Sequence, residues 1–168
     1  MWPPHWRPPE AGEAHLCWDG ERYVGIHAAL KQPLRIDFGS GDLARRARQG
    51  GEMLAKAVAA TKRLHVVDAT AGLGRDAFLM HAAGARVTAI ESSPVLGFWL
   101  ARNADGTGLT VIEGDAQAHL SMLAPDAVYL DPMFPGRDKS AAVKKEMAAF
   151  QELVGGDDDA GELLDAAL

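Results

Sequence analysis

Four short apolar runs, separated by helix-like stretches, constrain this fold more than any other feature of the chain. They are Leu64–Asp68, Arg86–Glu91, Leu109–Glu113 and Ala127–Asp131. Arg75–Ala83 between them reads as a helix. Ser93 is a good N-cap and Pro94 suits a first helical position, so a second helix is expected to about Asn103. Asp115 opens a short third helix, and a fourth is expected over Lys139–Val154. Strands alternating with helices imply an α/β fold, with a parallel sheet covered by helices on both faces. Ligands of such sheets bind beyond the carboxyl ends of the strands. An acid falls at or just after each of the four ends: Asp68, Glu91, Asp115 and Asp131. One such acid is commonly a turn former or helix cap, whereas four in register mark a rim.

Upstream the pattern is looser. Residues 1–15 are rich in Pro and Trp and read as an arm. Leu16–Trp18, Tyr23–His27 and Leu34–Phe38 are β-like, split by Asp19-Gly20 and Pro33. Asp42–Ala60 reads as a helix that Gly50-Gly51 interrupts. The expected division is an N-terminal extension over 1–60 and a ligand-binding domain over 61–168.

The net charge of -6 speaks against nucleic acid until its distribution is considered. Residues 151–168 carry six of the 23 acids and none of the 17 Lys and Arg residues, so residues 1–150 are neutral. The bases gather at Arg45, Arg46 and Arg48 and again at Arg137, Lys139, Lys144 and Lys145. Phosphate backbones respond to local patches, so RNA remains an eligible partner, although such clusters are more often solvated helix faces. No apolar run approaches the roughly 20 residues that span a bilayer. The lone Cys17 allows no internal disulfide and fits a cytoplasmic chain.

The first strand runs into Asp68-Ala69-Thr70-Ala71-Gly72-Leu73-Gly74-Arg75-Asp76-Ala77. Glycines let the backbone turn tightly, and the following helix N-terminus offers N–H groups and a positive dipole end. Such a turn can cradle pyrophosphate or the carboxylate of a methionine moiety. Gly72–Ala77 fits the G-x-G-x-x-A dinucleotide fingerprint, and Glu91 stands where an acid takes two ribose hydroxyls. That much suits NAD as well as S-adenosylmethionine, so an NAD-binding oxidoreductase is one reading.

The fourth strand separates the two. Val128-Tyr129-Leu130-Asp131-Pro132-Met133-Phe134-Pro135 resembles the Asp/Asn-Pro-Pro-aromatic motif of methyltransferases acting on exocyclic base amines. The lone pair of an aryl amine is delocalised and poorly nucleophilic. A carboxylate (Asp131) and a backbone carbonyl (Pro132) accepting its N–H bonds draw the nitrogen toward tetrahedral geometry. Pro132 stiffens the loop, and Phe134 offers a flat face on which a splayed-out base can stack. Hydride transfer has no need of this sequence.

Val66–Phe78 and Tyr129–Pro135, followed by Lys139-Ser140-Ala141 and Val143–Met147, resemble the bacterial small-subunit ribosomal RNA guanine-N2 methyltransferase family (RsmJ). Ile36–Phe38 and the stretch from Arg45-Arg46 through Gly50-Gly51 to Ala55–Ala57 are also similar, so the resemblance covers roughly residues 16–168. It implies a Rossmann-like class I sheet, S-adenosylmethionine as cofactor, and methyl transfer to a guanine N2 of small-subunit ribosomal RNA, free or within its particle. It also implies that Arg75 and Asp76 line the cofactor pocket with Asp68, Gly72 and Gly74. Glu91 and Ser92 would meet the ribose, Asp115 and Ala116 the adenine, and Asp131 both cofactor and target amine. Arg45, Arg46, Lys139, Lys144 and Lys145 become RNA-binding candidates.

The sheet of that class usually has seven strands, whereas this chain stops at Leu168 after its fourth core strand. A C-terminally truncated chain is therefore expected, with an inactive cofactor- or RNA-binding remnant as another reading. His5, His15, His27, His65, His81 and His119 show no metal-ligand spacing, so no metal is expected. A monomer without membrane attachment completes the expectation.

Overall fold

The computed structural model describes residues 14–27, 30, 32–49, 53–58 and 63–131. They fall into two compact units, one up to Ile36 and one from Asp37 onward. The first is a hairpin of β1 (Ala14–Trp18) and β2 (Tyr23–His27), antiparallel with Trp18 opposite Tyr23. Its turn is held by Asp19, whose Oδ1 accepts from the N–H groups of Glu21 and Arg22, both at 3.0 Å. Arg35 closes on the other Asp19 oxygen at 3.0 Å. The strand expected over Leu34–Phe38 is reduced to a single bridge between Leu34 and Gly25. Pro33 has no N–H to donate to a ladder, and the Asp37 carboxylate captures the backbone beyond. Its Oδ1 accepts from Gly39 N at 2.9 Å and Ser40 N at 3.1 Å, turning the chain into a helix.

That helix is α1 (Gly41–Gln49), and α2 (Met53–Ala57) follows it, one on each side of the interruption expected at Gly50-Gly51, which lies outside the described residues. Both pack on α3 (Arg75–Ala82), within the same unit as the sheet. The sheet consists of β3 (His65–Asp68), β4 (Arg86–Glu91), β5 (Thr110–Glu113) and β6 (Ala127–Tyr129). All pairings are parallel and the strand order is β5-β4-β3-β6. The chain steps outward from β3 to β5 and then crosses back to the far side of β3. That reversal creates a switch point at the carboxyl end of β3, the place where sheets of this kind bind ligands.

Asp115 caps α5 (Ala116–Leu123) by accepting from Gln117 N at 2.9 Å. Ser93 stands at the N-cap of α4 (Pro94–Asn103) with Pro94 next to it, but its side chain makes no cap hydrogen bond there. Ala116 and Leu120 of α5 cover Val67, Ala69 and Ile90 on one face of the sheet. On β4 and β5 lie α3 and α4, which bury Met80, Leu96, Trp99 and Leu100. Trp99 is wholly inaccessible, the largest side chain to be so among the described residues. Burying such side chains stabilises by about 1.5–3 kcal/mol each, which fixes the strand ends that carry the acids. Among the described residues no helix is long and apolar enough to cross a membrane.

Candidate active site

Where β3 ends, the backbone peels away from its neighbours in steps. Ala69 N–H donates to Tyr129 O on β6 at 3.0 Å, and Ala71 N–H to Ile90 O on β4 at 3.0 Å. A tight turn then closes through Gly74 N–H to Ala71 O at 2.7 Å, directly before α3. Gly72 and Gly74 both take left-handed φ, at 53° and 70°, which glycine adopts without strain. Their surroundings differ. A Cβ on Gly74 would lie 2.5 Å from Leu100 Cδ1 and 3.4 Å from Phe38 Cζ, so this glycine lets the turn sit on the core. A Cβ on Gly72 would meet nothing within 4 Å, so that side of the turn is open. The N-cap of α3 is Gly74, and no side chain caps this helix end. Uncapped N–H groups and the helix dipole favour a carboxylate or phosphate there.

Glu91 ties the strand ends together. Its carboxylate accepts from Gly72 N at 2.7 Å and from Ser93 N at 2.8 Å, and its own carbonyl accepts from Gly114 N at 2.9 Å. It is 6% exposed, so these bonds hold its carboxylate in one place at the strand end. Asp68 is 1% exposed and its Oδ1 accepts from Thr70 N at a long 3.3 Å. Burial pushes its pKa up to about 7, against the pull of that hydrogen bond and with help from the charges of Asp76, Glu91 and Asp131. Tyr129 OH donates to Asp76 Oδ2 at 3.0 Å; burial, then the Asp76 charge, holds the phenol above its ordinary range. Asp131 is exposed, and its N–H donates to Thr70 Oγ1 at 2.8 Å.

The structure thus gathers Asp68, Gly72, Asp76, Glu91 and Asp131 at one end of the sheet. Arg75 and Ser92 are exposed beside them. Asp115 follows β5 as the exposed cap of α5, and Ala116 is buried beneath it. Arg45 is already engaged by Asp42 and by Gln49, and Arg46 also has a partner. Pro132, Phe134, Lys139, Lys144 and Lys145, and the helix expected over 139–154, lie outside the described residues. A separate cavity of about 480 Å³, lined by Arg102, Asp105, Gly106 and Gly108, lies where α4 runs into β5 and contains none of these acids.

Chemically, the rim suits a ligand with cationic groups, a diol and one carboxylate. Asp68 and Asp76 would meet positive charge, Glu91 a diol, and the uncapped start of α3 a carboxylate. S-adenosylmethionine carries that combination, so the residues fit it. A dinucleotide would present its pyrophosphate to that same helix start, so the glycine turn alone does not separate the two ligands. Three contacts escaped the sequence reading: Thr70 with Asp131, Tyr129 with Asp76, and Glu91 with Gly72. Each joins side chain to partner across strands, and no local spacing signals it.

Residues 24–168 match the family described as "Putative SAM-dependent methyltransferase". Among curated relatives, Ribosomal RNA small subunit methyltransferase J of Thioalkalivibrio sulfidiphilus is 46% identical over 190 residues, covering 95% of this chain and 73% of its own length. The protein of that name from Chromohalobacter salexigens is 44% identical over 161 residues, covering 81% of this chain and 62% of its own. The one from Rhodopseudomonas palustris is 40% identical over 160 residues, covering 85% and 73%. The matches span between 56% and 73% of the length of such relatives. The crystal structure of a SAM-dependent methyltransferase from Neisseria gonorrhoeae superposes with a TM-score of 0.69 at 34% identity, covering 96% of this chain and 69% of that one.

Proposed function

The chain belongs to the SAM-dependent methyltransferase family, and from that premise we propose that it methylates the exocyclic N2 of a guanine in small-subunit ribosomal RNA. The relatives named for that RNA support the substrate. The observation that carries the reading is the convergence of Asp68, Asp76, Glu91 and Asp131 on the open side of the Gly72 turn.

S-adenosylmethionine supplies an electrophilic methyl group on a sulfonium centre. In this reading Glu91 accepts from the ribose hydroxyls, while its hydrogen bonds to Gly72 and Ser93 keep it aimed. The N-terminus of α3 receives the cofactor carboxylate, with Arg75 and Asp76 alongside. Asp115 and Ala116 border the adenine side. Asp131 accepts an N–H of the target amine, the Pro132 carbonyl accepts the other, and Phe134 stacks the base. Two acceptors on one amine localise its lone pair, so catalysis is positioning and electrostatics without a covalent enzyme intermediate. Arg45, Arg46, Lys139, Lys144 and Lys145 are the candidates for phosphate contacts. The chain acts as a cytoplasmic monomer and needs no metal. The oxidoreductase reading has only the glycine fingerprint behind it.

The test is methyl transfer from radiolabelled S-adenosylmethionine to small-subunit ribosomal RNA and to the small-subunit particle. Asp131→Ala is expected to slow transfer at least ~100-fold with cofactor affinity changed far less, as befits loss of a group acting on the transition state. An Asp131→Ala chain as active as the parent would sink the proposal. Cofactor binding without any transfer by the parent chain would favour a binding protein without turnover.

A further inference from the structure

The junction between β3 and β6 departs from a regular parallel ladder at one bond. In a parallel pair, a residue that donates to one partner residue accepts, through its carbonyl, from the residue two positions further along. Ala69 N–H donates to Tyr129 O at 3.0 Å, so the next bond would run from Asp131 N–H to Ala69 O. It runs to the Thr70 hydroxyl instead, at 2.8 Å. The reason lies in the turn. After Ala69 the chain swings toward β4, where Ala71 N–H donates to Ile90 O at 3.0 Å, and the backbone carbonyl of Ala69 leaves the ladder. A hydroxyl one residue further along reaches back and takes the missing acceptor's place.

We propose that Thr70 is a positioning residue: its hydroxyl splices the cofactor turn to the Asp131 loop and sets where Asp131 stands relative to the bound cofactor. The inference rests on the reading of Asp131 given above. Thr70 belongs to the turn, and its own N–H donates to Asp68 Oδ1 at 3.3 Å. Asp131 stands just beyond β6 and is exposed, so the sheet no longer fixes it. Among the described residues the Thr70 hydroxyl is the only acceptor for its N–H. Any shift in the turn is therefore passed to Asp131 through one short bond. A misplacement of about 1 Å at a reacting group can cost on the order of 100-fold in rate, so a single anchor here has leverage on transfer without touching substrate or cofactor.

Thr70→Val keeps the branched shape and removes the acceptor, whereas Thr70→Ser keeps the acceptor. Amide hydrogen exchange of Asp131 and Ala69 is measured in both variants, together with cofactor affinity by calorimetry and single-turnover methyl transfer to small-subunit ribosomal RNA. In Thr70→Val the Asp131 amide is expected to exchange about tenfold faster, as for a lost hydrogen bond. Ala69 stays protected by Tyr129 O, the cofactor dissociation constant stays within about twofold, and transfer slows about tenfold. Thr70→Ser restores Asp131 protection and rate together. Unchanged Asp131 protection in Thr70→Val overturns the splice. Loss of Ala69 protection as well, or a weakened cofactor affinity with an unchanged rate, makes Thr70 merely structural and overturns it too. A parent chain that transfers no methyl group contradicts the proposed function and not the splice, which the exchange arm still decides.

Discussion

The two ends of β3 bury a titratable side chain each, and they treat it in opposite ways. At the start of the strand His65 is 4% exposed, with Nε2 3.0 Å from Thr88 Oγ1 on the neighbouring strand and Nδ1 without a hydrogen bond. Burial, then the charge of Arg86, lowers its pKa, so the fold favours the neutral ring. Asp126 stitches this end shut, its carboxylate accepting from His65 N at 2.7 Å and its N–H donating to His65 O at 2.8 Å. At the other end Asp68 is as deeply buried, yet one long hydrogen bond and three neighbouring acids are what surround it. The first arrangement is closed by protein and serves stability. The second leaves a carboxyl whose charge is unwelcome until a cation arrives, which is how a ligand site differs from a core.

That contrast is sharpest where it predicts opposite trade-offs. His65→Ala opens a cavity and leaves Thr88 without its partner, so it is expected to lower stability by about 2–4 kcal/mol. Cofactor affinity of the folded fraction should not change, and thermal melts with calorimetry read both. Asp68→Asn removes a charge that the fold disfavours. It is expected to raise the melting temperature by a few degrees, on the order of 1 kcal/mol, and to weaken cofactor binding about tenfold through loss of a charge-assisted contact. Stability falling with affinity in Asp68→Asn would mean that the carboxyl is structural after all.

The pH dependence separates the two ends by sign. The folded pKa of Asp68, about 7, stands above its ordinary 3.8, so the fold favours its proton. Its stabilisation is complete below 3.8 and is lost as pH rises through about 7. His65 is lowered from 6.5, so its contribution is complete above 6.5 and is lost as pH falls through the folded value. Denaturation profiles of Asp68→Asn should lose the decline toward pH 7, and those of His65→Ala the decline toward acid. A cationic ligand beside Asp68 makes it ionise, so binding near neutral pH should release protons and tighten as pH rises. The smallest effect concerns Ala124, which ends α5 in a left-handed conformation at φ 40°. Ala124→Gly relieves that strain and is expected to stabilise by about 0.5–1 kcal/mol without altering cofactor affinity.

What the sequence disclosed follows the range of the forces involved. The four parallel strands, the cap at Asp115 and the start of α4 at Pro94 were legible because apolar runs and capping residues act within a few positions. The rim acids were legible because strand ends are. Leu34–Phe38 misled, since its apolar residues are buried without forming a strand: Ile36 and Phe38 are 4% and 5% exposed. The contacts that tune the site were invisible. Tyr129 meets Asp76 across 53 positions and Asp131 meets Thr70 across 61, and nothing in either segment announces the other. Glu91 was legible as a ribose acid, but its hold on Gly72 depends on how β4 lies beside the turn.

Whether the β3 rim holds S-adenosylmethionine is decided by calorimetric titration of the purified chain with that cofactor, with NAD in a parallel cell and each run in two buffers of different ionisation enthalpy. Selective micromolar binding of S-adenosylmethionine is expected, with proton release near pH 7 that disappears in Asp68→Asn. Binding of NAD in preference, or a folded chain that binds neither ligand, would overturn the assignment of the rim to that cofactor.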